Sequence, residues 1–129
     1  MVRAVAKGVH MSPRKTGVVA SLVRGRTVEE ALTILEHTPR RSADAVARVI
    51  KSAKANAEHN HNFKPDTLRI VEIMVTPGPR LKRFRPASHG RALPFERKSS
   101  HISVTVDGEQ RVAKKAAAAA KPKAEKETK

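Results

Sequence analysis

Apolar residues recur at helical spacing in three successive stretches of the first half of the chain. Ser12-Pro13 is typical of a helix start, since Ser is a frequent N-cap and Pro is tolerated at the first helical position. Thr27 and Glu30 form a capping-box pattern before the second stretch, and Ser42 is expected to cap the third. The predicted apolar stripes are Val19, Leu22 and Val23, then Val28, Ala31, Leu32 and Leu35, then Val46, Val49, Ile50, Ala53 and Ala57.

Alternating apolar and polar residues predict the strands. The clearest pattern covers residues 102–106, where Ile and Val alternate with Ser and Thr. Residues 68–75 are β-branched and apolar, with Val71, Ile73 and Val75 expected on one face. A weaker alternation over residues 3–9 predicts an N-terminal edge strand. Because helices and strands are segregated along the chain, the pattern favours an α+β fold, with helices layered on a small antiparallel sheet.

The segment between the last two strands, residues 77–100, is too long for an ordinary connection. In the run from Arg80 to Arg85, basic residues are interspersed with Leu81 and Phe84, which predicts a ribbon with cations on one side and apolar contacts on the other. Gly90 is suited to a turn. We therefore predict an extended β-hairpin at about 77–100. A disordered basic loop is the alternative.

Charge is concentrated in three extensions of a neutral body: residues 1–26, residues 77–101 and the tail, residues 112–129. The formal net charge is +15, from 27 Lys and Arg against 12 Asp and Glu. Residues 1–26 contain six cations and no acid, residues 77–101 have a net charge of +6, and residues 27–76 hold seven of each sign. Because such an imbalance destabilises a compact free chain, the excess indicates a polyanionic partner, most simply a nucleic acid.

Several chemistries find little support in the sequence. The chain has no Cys, which excludes disulfides and thiol catalysis, and no apolar run reaches the roughly 20 residues of a membrane span. His59-Asn60-His61 lacks a further metal ligand. In Ser99-Ser100-His101, neighbouring side chains would point to opposite faces of a strand. We expect a cytoplasmic protein without enzymatic activity, cofactor, metal or membrane partner.

Short stretches along the chain resemble bacterial large-subunit ribosomal protein twenty-two, over nearly all of residues 5–106. Their order and spacing together carry the resemblance. They are Met11-Ser12-Pro13-Arg14-Lys15, Leu22-Val23-Arg24-Gly25-Arg26, Ala55-Asn56-Ala57-Glu58-His59-Asn60, Gly78-Pro79, Lys82-Arg83, Pro86-Ala87, Gly90-Arg91-Ala92 and Ser100-His101-Ile102.

The resemblance implies three helices on a three-stranded antiparallel sheet, with a long hairpin that threads into large-subunit ribosomal RNA. It also implies that the body lies near the exit of the nascent-peptide tunnel. The hairpin tip would then help to line the tunnel wall, beside an extension of large-subunit protein four and in reach of the nascent peptide.

The predicted RNA-binding residues are cations and one His of the basic segments. They are Arg14, Lys15, Arg24, Arg26, Arg80, Lys82, Arg83, Arg85, His89, Arg91, Arg97 and Lys98. The tip is expected at Ser88, His89, Gly90, Arg91 and Ala92. Two alternatives stay open: Asn56 and His59 contact RNA or end the third helix, and Phe84 and Phe95 stack on bases or pack across the hairpin.

The sequence departs from the family pattern at Leu93-Pro94-Phe95-Glu96. Pro94 lacks a backbone donor and Glu96 brings an anion among phosphates, which puts strand pairing and RNA contact of the returning arm in question. We divide the chain into an rRNA-binding domain, residues 1–111, and an Ala/Lys-rich tail, residues 112–129, expected to be disordered.

Two rival functions remain to be weighed. The Lys/Ala tail is compatible with a DNA-compacting protein, but the body shows no dimer-forming helices or repeated basic tail. A metal-dependent nuclease needs clustered carboxylates, whereas the acids of this chain are scattered.

Overall fold

The structure, a computed structural model, describes residues 1–110, so the predicted tail lies outside the described residues. The elements are β1 (Val2–Val9), α1 (Pro13–Val23), α2 (Val28–Glu36), α3 (Arg41–His61), β2 (Arg69–Pro86) and β3 (Ala92–Asp107), with 3₁₀ turns at Pro65–Thr67 and Ser88–Gly90. The strands form one antiparallel sheet in the order β1-β3-β2. The α+β prediction and the N-terminal edge strand are confirmed.

The core lies between one face of the sheet and the helices. Helices α1 and α3 pack on the sheet, and α2 packs mainly on α3. The predicted inward residues of β3, Ile102, Val104 and Val106, are fully buried. The whole predicted stripe of α3, from Val46 to Ala57, is buried as well. Within residues 1–110, no helix is long and apolar enough to cross a membrane.

Two helix details differ from the sequence prediction. Leu22 is 45% exposed, because α1 turns Thr16, Val19, Ala20 and Val23 toward the core instead. Ser42 is not a cap: α3 starts at Arg41 after the N-cap Arg40, and Ser42 is buried inside the first turn. The capping box of α2 is confirmed, since Thr27 and Glu30 exchange side chain-to-backbone hydrogen bonds in both directions.

A β-bulge explains why Val71 does not share a face with Ile73 and Val75, although the sequence pattern predicted that it would. The pairing of β2 with β3 shifts between Ile70 and Glu72, so Val71 is the extra residue and is 48% exposed. Ile70 takes the buried position opposite Val106, and Ile73 is buried as predicted. An alternating sequence pattern does not reveal an inserted residue. After the bulge, every side chain points to the opposite face from the one that simple alternation would give.

The connection between α1 and α2 covers the free edge of β2. Gly25 donates its N–H to the Ile70 carbonyl at 3.1 Å, Ile70 donates to Arg26 at 2.9 Å, and Val28 donates to Leu68 at 3.0 Å. Gly25 has a φ of 76°, a conformation that suits glycine. The body end of this edge strand is therefore closed to further pairing.

Candidate nucleic-acid interface

Beyond the body, β2 and β3 continue alone as a two-stranded hairpin. Pairing runs from Arg80 opposite Lys98 to Pro86 opposite Ala92, and nearly every side chain in it is exposed. The extended hairpin is therefore confirmed over the disordered loop. Because β1 ends at Val9, opposite Ser100, this part of β3 has a neighbour on one side only.

The cations of the hairpin occupy both of its faces. Residues directly opposite in an antiparallel pair share a face, so Arg80, Lys82 and Lys98 lie on one side. Arg83, Arg85 and Arg97 lie on the other. The prediction of one cationic and one apolar side was wrong, because the adjacent Lys82 and Arg83 interrupt the alternation. Leu81 and Phe84 fall on opposite faces for the same reason.

The returning arm pairs along its whole length despite its departure from the family pattern. Pro94 lies opposite Phe84, and Glu96 lies opposite Lys82. The Glu96 carboxylate is 3.4 Å from an Arg80 guanidinium nitrogen on the same face. As both side chains of this ion pair are solvent-accessible, it stabilises the hairpin little. Its effect is to offset one cation.

The two hairpin phenylalanines have different surroundings. The Arg85 guanidinium lies 4.9 Å from the centre of the Phe95 ring, a cation–π contact across the strands. Phe84 is on the other face and 70% exposed. The rings therefore do not pack against each other: Phe95 contacts a cation of the opposite strand, and Phe84 is open to solvent.

The tip is a tight turn formed by Ser88–Gly90. Ala87 donates its N–H to the Arg91 carbonyl at 2.8 Å, closing the loop. His89 and Gly90 have φ values of 58° and 68°, which confirms the turn at Gly90. Ser88, His89, Gly90, Arg91 and Ala92 are all exposed.

A set of close polar contacts joins the hairpin to the body. Ser99 donates its hydroxyl to the Pro79 carbonyl at 2.6 Å. On the other side of β3, Gly8 donates its N–H to Nδ1 of His101 at 2.9 Å. A Cβ added at Gly78 would lie 2.6 Å from the Ser99 hydroxyl oxygen, so a larger residue would have to displace that hydroxyl from its bond to Pro79. We call this junction the hairpin root (Gly8, Gly78, Pro79, Ser99, His101).

The predicted body cations fall into two groups. Arg14 and Lys15 are exposed in the first turn of α1. Arg24 donates to the Ile73 carbonyl at 3.2 Å and Arg26 to the Leu22 carbonyl at 2.9 Å. The guanidinium groups of Arg24 and Arg26 thus also hold the α1–α2 connection in place.

The end of α3 leaves its two candidate residues free of a capping role. Asn62, in a left-handed conformation, is the C-cap of the helix, and Phe63 donates its N–H to the Ala57 carbonyl at 3.1 Å. Asn56 is half-buried and His59 is exposed in the last turn. Contact of these two residues with RNA stays a prediction.

Sequence reasoning missed Arg40 and Arg41. These residues line a groove of about 1120 Å³ beside the hairpin root, together with Lys15, Arg97 and Lys98. Counting charge by segments concealed them, because residues 27–76 are neutral in total. A local signal was available in the sequence: two adjacent cations at a helix start are unusual, because their charge is repelled by the helix dipole.

Comparison with known proteins decides the family. The model of the family described as ribosomal protein L22p/L17e matches residues 4–107. The chain belongs to the L22p/L17e family. It is 50% identical over 104 residues to large ribosomal subunit protein uL22 of Clostridioides difficile, covering 81% of this chain and 94% of that protein. It is 50% identical over 105 residues to the uL22 protein of Herpetosiphon aurantiacus, with 81% and 93% covered.

Membership of the L22p/L17e family confirms the resemblance found in the sequence. It places the chain among the structural, non-enzymatic proteins of the large ribosomal subunit, in the cytoplasm.

Proposed function

We propose that this chain binds large-subunit ribosomal RNA, with its hairpin enclosed between RNA segments. The observation that carries the proposal is the exposure of cations on both hairpin faces. An isolated two-stranded hairpin is marginally stable in water. A polyanion that surrounds the ribbon neutralises both faces and supplies the missing contacts, whereas a partner docked on one side leaves the other set of cations unmatched.

We assign the tip to the wall of the nascent-peptide exit tunnel. The tip has one Arg and one His among five exposed residues, while the arms below it carry most of the cations. This gradient suits a ribbon whose arms contact phosphates and whose end faces solvent. Proximity to large-subunit protein four and to the nascent peptide rests on the resemblance to the family.

The salt dependence of binding tests the contact between hairpin and RNA. If the chain neutralises about six phosphates, log K falls with log salt at a slope of about −5. Replacing Lys82, Arg83 and Arg85 together with Gln should flatten this slope by about two to three units. The measurement is a filter-binding titration on deproteinised large-subunit ribosomal RNA at several salt concentrations.

The matched control removes three cations from α3 and the loop that follows it, through Arg48→Gln, Lys51→Gln and Lys64→Gln. The slope of this control should stay within about one unit of the parent value. Equal slopes for the two triple variants would contradict the proposal. Equal affinity for duplex DNA of the same length would instead support a general nucleic-acid binder.

The position of the tip is tested by directed cleavage. The chain has no native Cys, so a cleavage reagent can be tethered at Ser88→Cys in assembled subunits, with Ser21→Cys on α1 as the control site. We expect cuts from position 88 in RNA of the tunnel wall. Cuts confined to RNA at the outer surface would overturn the assignment of the tip.

A further inference from the structure

The groove beside the hairpin root has an unusual charge for a concave surface. Its walls come from four separate parts of the chain: residues 8–15 at the end of β1 and the start of α1, the start of α3, and both arms of the hairpin. Five cations line it, contributed by Lys15, Arg40, Arg41, Arg97 and Lys98, against the single carboxylate of Glu96. Glu96 is already paired with Arg80 at 3.4 Å.

None of these five cations forms an ion pair with any other residue in the range 1–110. All five are solvent-exposed, so in the free chain their mutual repulsion is screened by solvent but is not offset by an ion pair. A surface of this kind is stabilised by binding several negative charges at once.

The positions of Arg40 and Arg41 at the start of a helix also favour the binding of negative charge. Arg40 is the N-cap of α3 and Arg41 is its first residue, where a positive charge is repelled by the helix dipole. Arg14 and Lys15 lie within the first turn of α1, which has no acidic residue, whereas the first turn of α3 contains Asp44. Neither Ser12 nor Arg40 makes a side-chain capping bond, so the first N–H groups of both helices lack this partner. Such groups favour phosphate.

We infer that this groove binds a run of consecutive phosphates of one RNA strand, and that Arg40 and Arg41 are its central contacts. The inference rests on the proposed function and adds a second RNA subsite, on the body. The volume exceeds that of an ordinary small-molecule pocket, which suits a length of polymer rather than a free ion. An RNA strand is favoured over an acidic peptide because one wall of the groove is the hairpin arm itself.

The test uses the double variant Arg40→Gln, Arg41→Gln in the full chain. The slope of log K against log salt on deproteinised large-subunit ribosomal RNA should flatten by about two units. The melting temperature of the free protein should stay equal or rise, because two charges that oppose a helix dipole are removed. A fall in melting temperature would show that the arginines serve the fold, contrary to the inference. The matched control is Arg48→Gln, Lys51→Gln on the same helix, for which the slope should hardly change.

Phosphate ethylation interference locates the contact. Two or three neighbouring phosphates should block binding of the parent chain when ethylated and lose that effect with the double variant. If the hairpin triple variant flattens the slope and the groove variant does not, the groove is not an RNA site and the proposed function stands. If neither variant changes the slope, both ideas fail. An unchanged slope with poorer incorporation into subunits would mean that the groove binds an acidic protein segment, which also overturns the inference.

Discussion

At the residue scale, two adjacent serines show how differently a hydroxyl can act in one strand. Ser99 and Ser100 follow each other on β3 and so point to opposite faces of the sheet. The Ser99 hydroxyl donates to the Pro79 carbonyl at 2.6 Å. The Ser100 hydroxyl is fully buried and has no hydrogen-bond partner within residues 1–110. A buried polar group without a partner lowers stability.

Alanine substitutions should therefore have opposite effects at the two positions. Ser100→Ala should stabilise the protein by about 1 kcal/mol, because it removes a hydroxyl that lost its water on folding. Ser99→Ala should destabilise it by about 1 kcal/mol, because the Pro79 carbonyl loses its donor. Thermal unfolding followed by circular dichroism measures both changes. Equal losses in the two variants would show that the Ser100 hydroxyl does have a partner.

The pKa of Asp107 gives a prediction of pH dependence. The N-terminal ammonium group of Met1 lies 3.1 Å from the carboxylate of Asp107, and Gly108 donates its N–H to it at 3.1 Å. These two hydrogen bonds, the ammonium first, lower the pKa of Asp107 below its ordinary value. Its contribution to stability is thus present above the unfolded-state pKa and is lost as the pH falls through the folded-state pKa.

Asp107→Asn should lower the melting temperature most near neutral pH. The difference from the parent chain should begin to shrink as the pH falls below about 4, where the carboxylate of the unfolded chain becomes protonated, and should be lost as the pH falls through the lower folded-state pKa. Melting curves between pH 3 and pH 7 for both chains test this. A difference that stays constant over that range would mean that the ion pair does not contribute to stability.

At the element scale, the best predicted helix is the one whose pattern is longest. Five apolar positions of α3 are buried as the periodicity indicated, since a stripe of that length fits only one helix face. Short patterns were less decisive. The stripe predicted for α1 had only three apolar residues, and periodicity alone could not tell that Thr16 rather than Leu22 faces the core. The bulge at Val71 had no local signal, because it depends on how β2 pairs with β3.

Ile50 of α3 is fully buried, so a charged residue at this position should strongly lower the stability of the domain. Ile50→Asp should destabilise the domain by about 3–5 kcal/mol, a large part of the stability of a small domain, because the carboxylate would lack a partner. Ala55→Asp, at an exposed position of the same helix, is the matched control and should change stability by less than about 1 kcal/mol. If the Ile50 variant melts at the parent temperature, α3 does not face the core as described.

At the scale of the whole molecule, the body and the hairpin depend on different kinds of information. The body was predictable because burial imposes a pattern on its sequence. Along the hairpin almost nothing is buried, so the assignment of its faces failed even though its existence was predicted from length, charge and a glycine. The groove joins residues from four segments, and only the packing of α1 and α3 beside the hairpin root brings them together.

Because the core lies in the body and not in the hairpin, we predict that the body folds without the tip. Deleting residues 88–92 removes no core residue, so the melting temperature should stay within a few degrees of the parent value. The salt slope of RNA binding should flatten by about one unit at most, since Arg91 is the only Lys or Arg removed. Melting curves and the titration described above test both points. A loss of stability like that of Ile50→Asp would show that the body needs the tip.

Because the hairpin is a single pair of strands, a small change in its direction at the root moves its tip by a much larger distance. Toward the tip, Ser100 is the last residue of β3 that pairs with strands on both sides, and the hairpin extends about 25 Å from there to the turn. A rotation of about 5° at the hairpin root therefore moves the tip by about 2 Å. The contacts of Gly78, Ser99 and His101 at the hairpin root therefore fix where the tip lies. A substitution that tilted the root would move the tip while leaving every residue of the tip unchanged.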